Sequence, residues 1–316
     1  MNVPASAPFP TLLAVLAGLM AGVLFLLPRL APTAPFLALP LSLAGLFSAA
    51  PLLTMRISGR LLHAFVALAA ALLLISVIES PESAIGFAVL FGLWALVAGE
   101  VLSRRRSIIA ASVAGLVVLS VEALLAGFAE GTAPIEATLR SPQVQASFDQ
   151  WAAQAELEPA EAKAAIERVR AGIVALYPAL SVISAMTIVA LNAIALGRLV
   201  QRSGAPSFPQ GELLTLRWPL SLVVAFVASG ALLLVPAAQQ AGWNGLAVTL
   251  FLFLLQGLSV LAFSLTRLFS SELMRLMLMV TSLLGPWAIL LSLLGLFDQW
   301  FDFRNRFGST ETPAAP

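Results

Sequence analysis

Long apolar runs dominate the chain, each closed by a short polar or prolyl stretch. A helix needs about 20 apolar residues to cross roughly 30 Å of hydrocarbon at about 1.5 Å per residue. Nine runs meet or approach that length, at residues 9–27, 35–55, 61–78, 84–102, 108–128, 173–196, 219–236, 246–265 and 276–296. The pattern predicts an all-α, polytopic transmembrane helical bundle of about nine spans, or eight if one segment is re-entrant. Pro40 and Pro51 interrupt the second run. Proline at membrane depth is tolerated where neighbouring helices satisfy the carbonyls it frees.

The basic residues test this reading, because short loops rich in Lys and Arg stay cytoplasmic. Arg56 and Arg60 fall between spans two and three, and Arg104, Arg105 and Arg106 between four and five. Arg198, Arg202 and Arg217 fall between six and seven, and Arg267 and Arg275 between eight and nine. Ten of the 17 basic residues therefore lie in even-numbered loops, the alternation that nine spans require. The N-terminus is then inside and the C-terminus outside. Arg304 and Arg306 in the tail are the exception.

The longest polar stretch, 129–172, lies between spans five and six and holds seven acidic and four basic residues. Val144, Phe148, Trp151 and Ala155 form one helical stripe, and Ala162, Ile166, Val169, Ile173 and Leu176 a second. Glu158-Pro159 separates them, with proline suited to a first helical position. The pattern predicts an extramembrane amphipathic hairpin whose second helix runs into span six and bends at Pro178. It reads either as a cap on the bundle or as a substrate lid.

Composition agrees with a membrane solvent. The chain is 60% hydrophobic and 10% charged, against about 25% charged in soluble domains. A net charge of +1 gives no electrostatic footprint for nucleic acid. With no cysteine, disulfides, thiolate catalysis and Cys-ligated metals are excluded. Residues 1–10 carry no Lys or Arg, so the first run reads as a retained span rather than a cleaved signal. The expected organisation is one membrane domain over 1–306, with the hairpin inserted at 129–172 and a disordered tail over 307–316.

Polar groups inside the membrane are costly and are therefore functional candidates. Glu122 lies in span five, Asn192 in the inner third of span six and Gln256 near the middle of span eight. Trp243 and Asn244 precede span eight at the outer interface. These five form the candidate ligand-binding set. Interhelical hydrogen bonding is the plainer role for Asn192 and Gln256, and interfacial anchoring for Trp243. Ala14, Gly18 and Gly22 recur every four residues in span one, a small-residue face that either joins helices within the bundle or docks a partner subunit. At the other end, Asp298, Trp300, Asp302 and Arg304 crowd the exit of span nine as a second candidate partner contact. If the helix runs on, Asp298 and Asp302 share a face and Asp302 pairs with Arg306.

His63 is the only histidine, and the chain has no Walker A, HExxH or GxSxG sequence. The reading assigns no catalytic residue, no metal and no cofactor, and takes the chain to be no enzyme.

The last third reads Asn192-Ala-Ile-Ala-Leu-Gly-Arg, Arg217-Trp-Pro-Leu, Ala228-Ser-Gly, Trp243-Asn-Gly-Leu, Gln256-Gly-Leu-Ser-Val and Gly295-Leu-Phe-Asp298-Gln-Trp300-Phe-Asp302-Phe-Arg304. This order resembles the YybS-like family of bacterial multi-pass membrane proteins, best over about 170–306. That family is distantly similar to substrate-binding subunits of energy-coupling-factor vitamin importers. The resemblance implies a bacterial inner-membrane location and brings no catalytic residues with it.

Two readings of function follow. In the first, the chain is a solute-binding, transport-type membrane subunit powered by a separate ATPase module. In the second, it is a scaffold or assembly factor acting through the outer hairpin and the C-terminal motif. The bilayer is a partner in both.

The orientation is directly testable in a cysteine-free chain. Arg105→Cys is expected to resist a membrane-impermeant maleimide in intact cells while Ala153→Cys reacts. The reverse labelling pattern would invert the topology.

Overall fold

The computed structural model describes residues 10–33, 38–57, 61–105, 107, 110–111, 113–115, 117–119, 121, 133–155, 158–202, 214–283 and 285–308. Every element among them is helical. In chain order they are α1 (Pro10–Leu26), followed by a 3-10 turn, α2 (Ala38–Leu46), α3 (Ala50–Ile57), α4 (Leu61–Ile78), α5 (Pro81–Phe87) and α6 (Trp94–Arg105). The last two are joined by a π-helical turn, Ala88–Leu93. Then come α7 (Ala133–Leu139), α8 (Pro142–Gln154), α9 (Pro159–Arg202), α10 (Ser221–Leu232), α11 (Gln239–Leu268), α12 (Glu272–Ser282), α13 (Trp287–Phe301) and α14 (Phe303–Gly308).

Among the described residues, six helices are long and apolar enough to cross a membrane, or up to seven if the bent pair α12–α13 is one span. The chain is an all-α polytopic membrane bundle, and its described residues hold fewer complete spans than the nine read from hydropathy. Two of the shortfalls have a local cause. The seventh run yields only the short α10, which gives way to turns before Pro236. The ninth is broken by a bend of 99° between α12 and α13. Gly285 there takes φ +59°, a left-handed conformation that glycine alone adopts freely. The fifth run lies largely outside the described residues, although its Ala111, Gly115 and Leu119 are helical and buried.

The hairpin helices form where the apolar stripes place them. Pro159 opens α9, a continuous helix of 44 residues that runs through Pro178 into the sixth span. An apolar groove of about 480 Å³ opens beside α8, lined by Val144, Ser147, Phe148, Trp151 and Val169. The Arg170 guanidinium lies 5.3 Å over the Phe148 ring and pairs with Glu167 at 2.8 Å.

The chain divides into two compact units, residues 1–125 with 184–212 and residues 126–183 with 213–316. In the first, α1 lies on α4. A Cβ at Gly18 would overlap the Ala67 carbonyl oxygen, and one at Gly22 would press on Leu74 and Ala71. Rising numbers meet rising numbers, so α1 and α4 run parallel, as first and third spans must. The small-residue row of Ala14, Gly18 and Gly22 is thus covered by a helix of its own unit. At the exit of the pair, Arg29 meets Glu79 at 2.8 Å. Phe25, Phe87 and Phe91 cluster just beneath, with Phe25 and Phe87 edge to face at 5.2 Å. At the ends of α3 and α6, Glu100 takes both Arg56 and Arg104.

Gly18→Ala is expected to lower thermal stability in detergent by about 1–3 kcal/mol, the usual cost of overpacking. Gly86→Ala, with nothing near its added methyl, serves as the control. Equal stability of the two variants would mean that α1 and α4 are not in backbone contact.

Candidate functional site

Most of the sequence-predicted polar residues of the second unit meet around α11. The meeting point is set by two glycines. A Cβ on Gly257 would overlap the Leu291 carbonyl oxygen, and one on Gly295 the Phe253 carbonyl oxygen. Backbones of α11 and α13 therefore touch, which carries the side chains beside the crossing into hydrogen-bonding range.

Gln256 is fully buried. Its Nε2 donates to Asp298 Oδ2 at 3.0 Å. Its Oε1 accepts from the Trp218 backbone N–H at 3.1 Å and from Gln299 Nε2 at 3.0 Å. Gln299 Nε2 also donates to the Trp218 carbonyl at 3.0 Å. Two glutamines thus take both backbone polar groups of the residue before Pro219, a stretch with no helical partner of its own. The Trp218 indole is fixed too, donating to the Leu252 carbonyl at 2.8 Å.

Asp298 is 1% exposed. Besides Gln256, it accepts at Oδ1 from the Phe303 backbone N–H at 3.1 Å, just past the end of α13. Arg304 turns back into the cluster, its side chain only 11% exposed. One terminal nitrogen donates to the Leu216 carbonyl at 2.8 Å and to Ser259 Oγ at 3.1 Å, and lies 3.7 Å from Asp298. Arg304 Nε is buried without a hydrogen-bond partner among the described residues. Burial pushes the Arg304 guanidinium below its ordinary value, Asp298 raises it and Arg217 lowers it further. That ordinary value is so high that the group stays charged.

The helix does not continue through the C-terminal motif. It ends at Phe301, and Asp302 takes φ +44°. Asp302 therefore leaves the Asp298 face expected of a continuing helix. Its carboxylate accepts from Asn305 Nδ2 at 2.6 Å and lies 3.5 Å from Arg217. The side chain of Arg306, the partner expected for Asp302, lies outside the described residues. Trp300 is 56% exposed and takes no part in these hydrogen bonds.

The other candidates lie elsewhere. Asn244 inserts into α9 at Pro178, its Oδ1 accepting from the Ala179 N–H and its Nδ2 donating to the Ala175 carbonyl, both at 2.8 Å. Those two groups would ordinarily bond each other across one turn. Trp243 beside it is exposed. In the first unit, Asn192 is fully buried and donates to the Leu46 carbonyl at 2.6 Å, where α2 gives way to a turn before Pro51. Asn192 Oδ1 has no partner among the described residues. Glu122 lies outside the described residues.

Reading candidates one span at a time passes over Arg217, Trp218, Ser259 and Gln299. The available signal was the pair of polar motifs flanking apolar runs, Arg217-Trp-Pro and Asp298-Gln-Trp. Chemically, the cluster offers a buried carboxylate, a partly buried guanidinium and two amides. Among the described residues, no group of three or more His, Cys, Asp or Glu could hold a metal ion.

Gln256→Leu would strand the Trp218 N–H and one Asp298 oxygen. An unsatisfied buried group costs about 1–3 kcal/mol. The variant is expected to lose roughly 2–5 kcal/mol in thermal unfolding, with Thr266→Val, an exposed site, near wild type. A Gln256→Leu protein as stable as wild type would remove the cluster from the packing of this unit.

A search of curated proteins and a search of solved structures each return no match. One family model, described as predicted membrane protein, matches residues 23–299. That match takes in most of the chain and runs from α1 to the middle of the Asp298-Gln299-Trp300 motif. The chain belongs to the DUF2232 family of predicted membrane proteins.

Proposed function

We propose that the chain is a transport-type subunit of the bacterial inner membrane that binds a small solute and works with a separate ATPase module. The Asp298–Arg304 cluster is its solute-responsive site. The observation that carries this reading is a buried carboxylate with a partly buried guanidinium 3.7 Å away, where two non-helical segments meet α11. A buried ion pair is rarely retained for stability, since well-packed apolar residues do as well or better. Ionisable groups inside membrane bundles mark substrate and ion pathways. Interrupted helices are the usual place for transported solutes to bind, because their free backbone groups and end dipoles are available. The resemblance of the last third to the YybS-like family, and more distantly to importer substrate-binding subunits, supports the same reading.

A second reading is favoured by a different feature. The groove beside α8 is apolar and open, with Trp151 and Val169 exposed along it. A scaffold or assembly factor would use such a surface to hold a protein partner.

Native mass spectrometry of the purified protein separates the two. The transport reading expects a small-molecule adduct that Asp298→Asn releases while leaving the protein folded and at normal membrane abundance. A stable protein partner without any small ligand, lost on Trp151→Ala and kept on Asp298→Asn, would overturn it in favour of the scaffold.

A further inference from the structure

The ends of α3 and α6 hold two arginines against one carboxylate. Arg56 is buried, with 8% exposure, and pairs with Glu100. Its approach is permitted by Gly99, where an added Cβ would stand 2.8 Å from the Arg56 side chain. Glu100 is thereby neutralised from within the bundle. Arg104 then contacts a carboxylate whose charge is already matched. It binds Glu100 through Nε, so the side chain is oriented and its two terminal nitrogens are left out of that contact. Its side chain is 78% exposed. In the sequence Arg105 and Arg106 follow at once. This end of α6 closes a candidate span, Pro81–Arg104, so Arg104 stands at the level where an apolar helix gives way to headgroups.

We infer that Arg104, held by Glu100 and relieved of competition by Arg56, is a docking point for the phosphate of an anionic phospholipid. A guanidinium offers phosphate two parallel N–H donors. Fixing Nε beforehand leaves the terminal pair free for that geometry and reduces the side-chain freedom lost on binding. Basic residues next to spans are attracted to anionic leaflets, each worth about 1 kcal/mol near the surface. Glu100 and Arg56 are positioning residues here, and the lipid contacts Arg104. The inference does not rest on the solute-binding reading, since the residues involved lie in the other unit.

The test is lipid retention by the full-length protein in native mass spectrometry, after reconstitution with equal phosphatidylglycerol and phosphatidylcholine. Wild type is expected to retain phosphatidylglycerol preferentially. Arg104→Gln should lower that preference about fivefold, the worth of one basic residue near an anionic surface, with unchanged thermal unfolding. Arg104→Lys should keep part of it. Glu100→Gln should weaken retention although it removes a negative charge, an effect simple electrostatics would not give. Equal retention of both lipids by wild type, or an unchanged preference in Arg104→Gln, overturns the inference. Displacement of the lipid by millimolar inorganic phosphate would also overturn it, in favour of a free-phosphate site.

Discussion

A backbone N–H or C=O that loses its helical partner in apolar surroundings has no water to turn to, and the polar side chains of this chain are distributed by that constraint. Regular helical bonding is interrupted often, near Pro51 and Pro219 where helices begin, at Pro178 inside the otherwise continuous α9, and at the turn at Gly285. Opposite three of these interruptions stands an amide side chain from another part of the same unit. Asn192 covers the Leu46 carbonyl, Asn244 bonds the Ala179 N–H and the Ala175 carbonyl either side of Pro178, and Gln256 with Gln299 takes both groups of Trp218. An amide suits this work because it offers a donor and an acceptor a few ångströms apart without carrying charge. The apolar majority of the chain can fill space but cannot supply either.

Asp298 and Arg304 go beyond that pattern. Asp298 closes the end of α13 through the Phe303 N–H, a task that an asparagine would also perform. A full charge there has to be compensated, and Arg304 folds back to do so at 3.7 Å rather than in close contact. Breaking a buried pair from one side costs several kcal/mol, whereas replacing both partners costs little. The loose geometry leaves the guanidinium with an unused buried donor. This part of the unit therefore holds unsatisfied polar capacity that the amide bridges elsewhere, Asn192 apart, do not.

The helical character and the apolar runs were legible because hydropathy and length report burial in lipid directly. The start of α9 at Pro159 was equally legible, since proline at a first helical position is a local rule. Span count was less so. A window of apolar residues does not register the turn that ends α10 or the left-handed Gly285 that folds the ninth run. For the site, burial cost singled out Gln256 as a residue that binds a ligand or bonds between helices, whereas Asp298 and Arg304 stood out only as a crowded motif at the exit of span nine. It could not name the partners, because Trp218 and Asp298 stand 38 and 42 residues from Gln256. The face shared by Asp298 and Asp302 assumed that a helix continues when its residues permit it. Local capping by Asp298 of the Phe303 N–H and a positive φ at Asp302 end it sooner.

The contact between Gly257 and Gly295 constrains the chain in a way that differs from an ordinary packed pair. Two core side chains facing each other can exchange volume, one growing as the other shrinks, so such positions drift together through evolution. Here the obstacle to each glycine is a carbonyl oxygen, that of Leu291 for one and that of Phe253 for the other. A carbonyl is present whatever residue bears it, so no substitution elsewhere makes room. The two positions therefore have no compensating partner. Among related chains they should be invariant rather than covarying, and a search for coupled positions would miss this backbone contact.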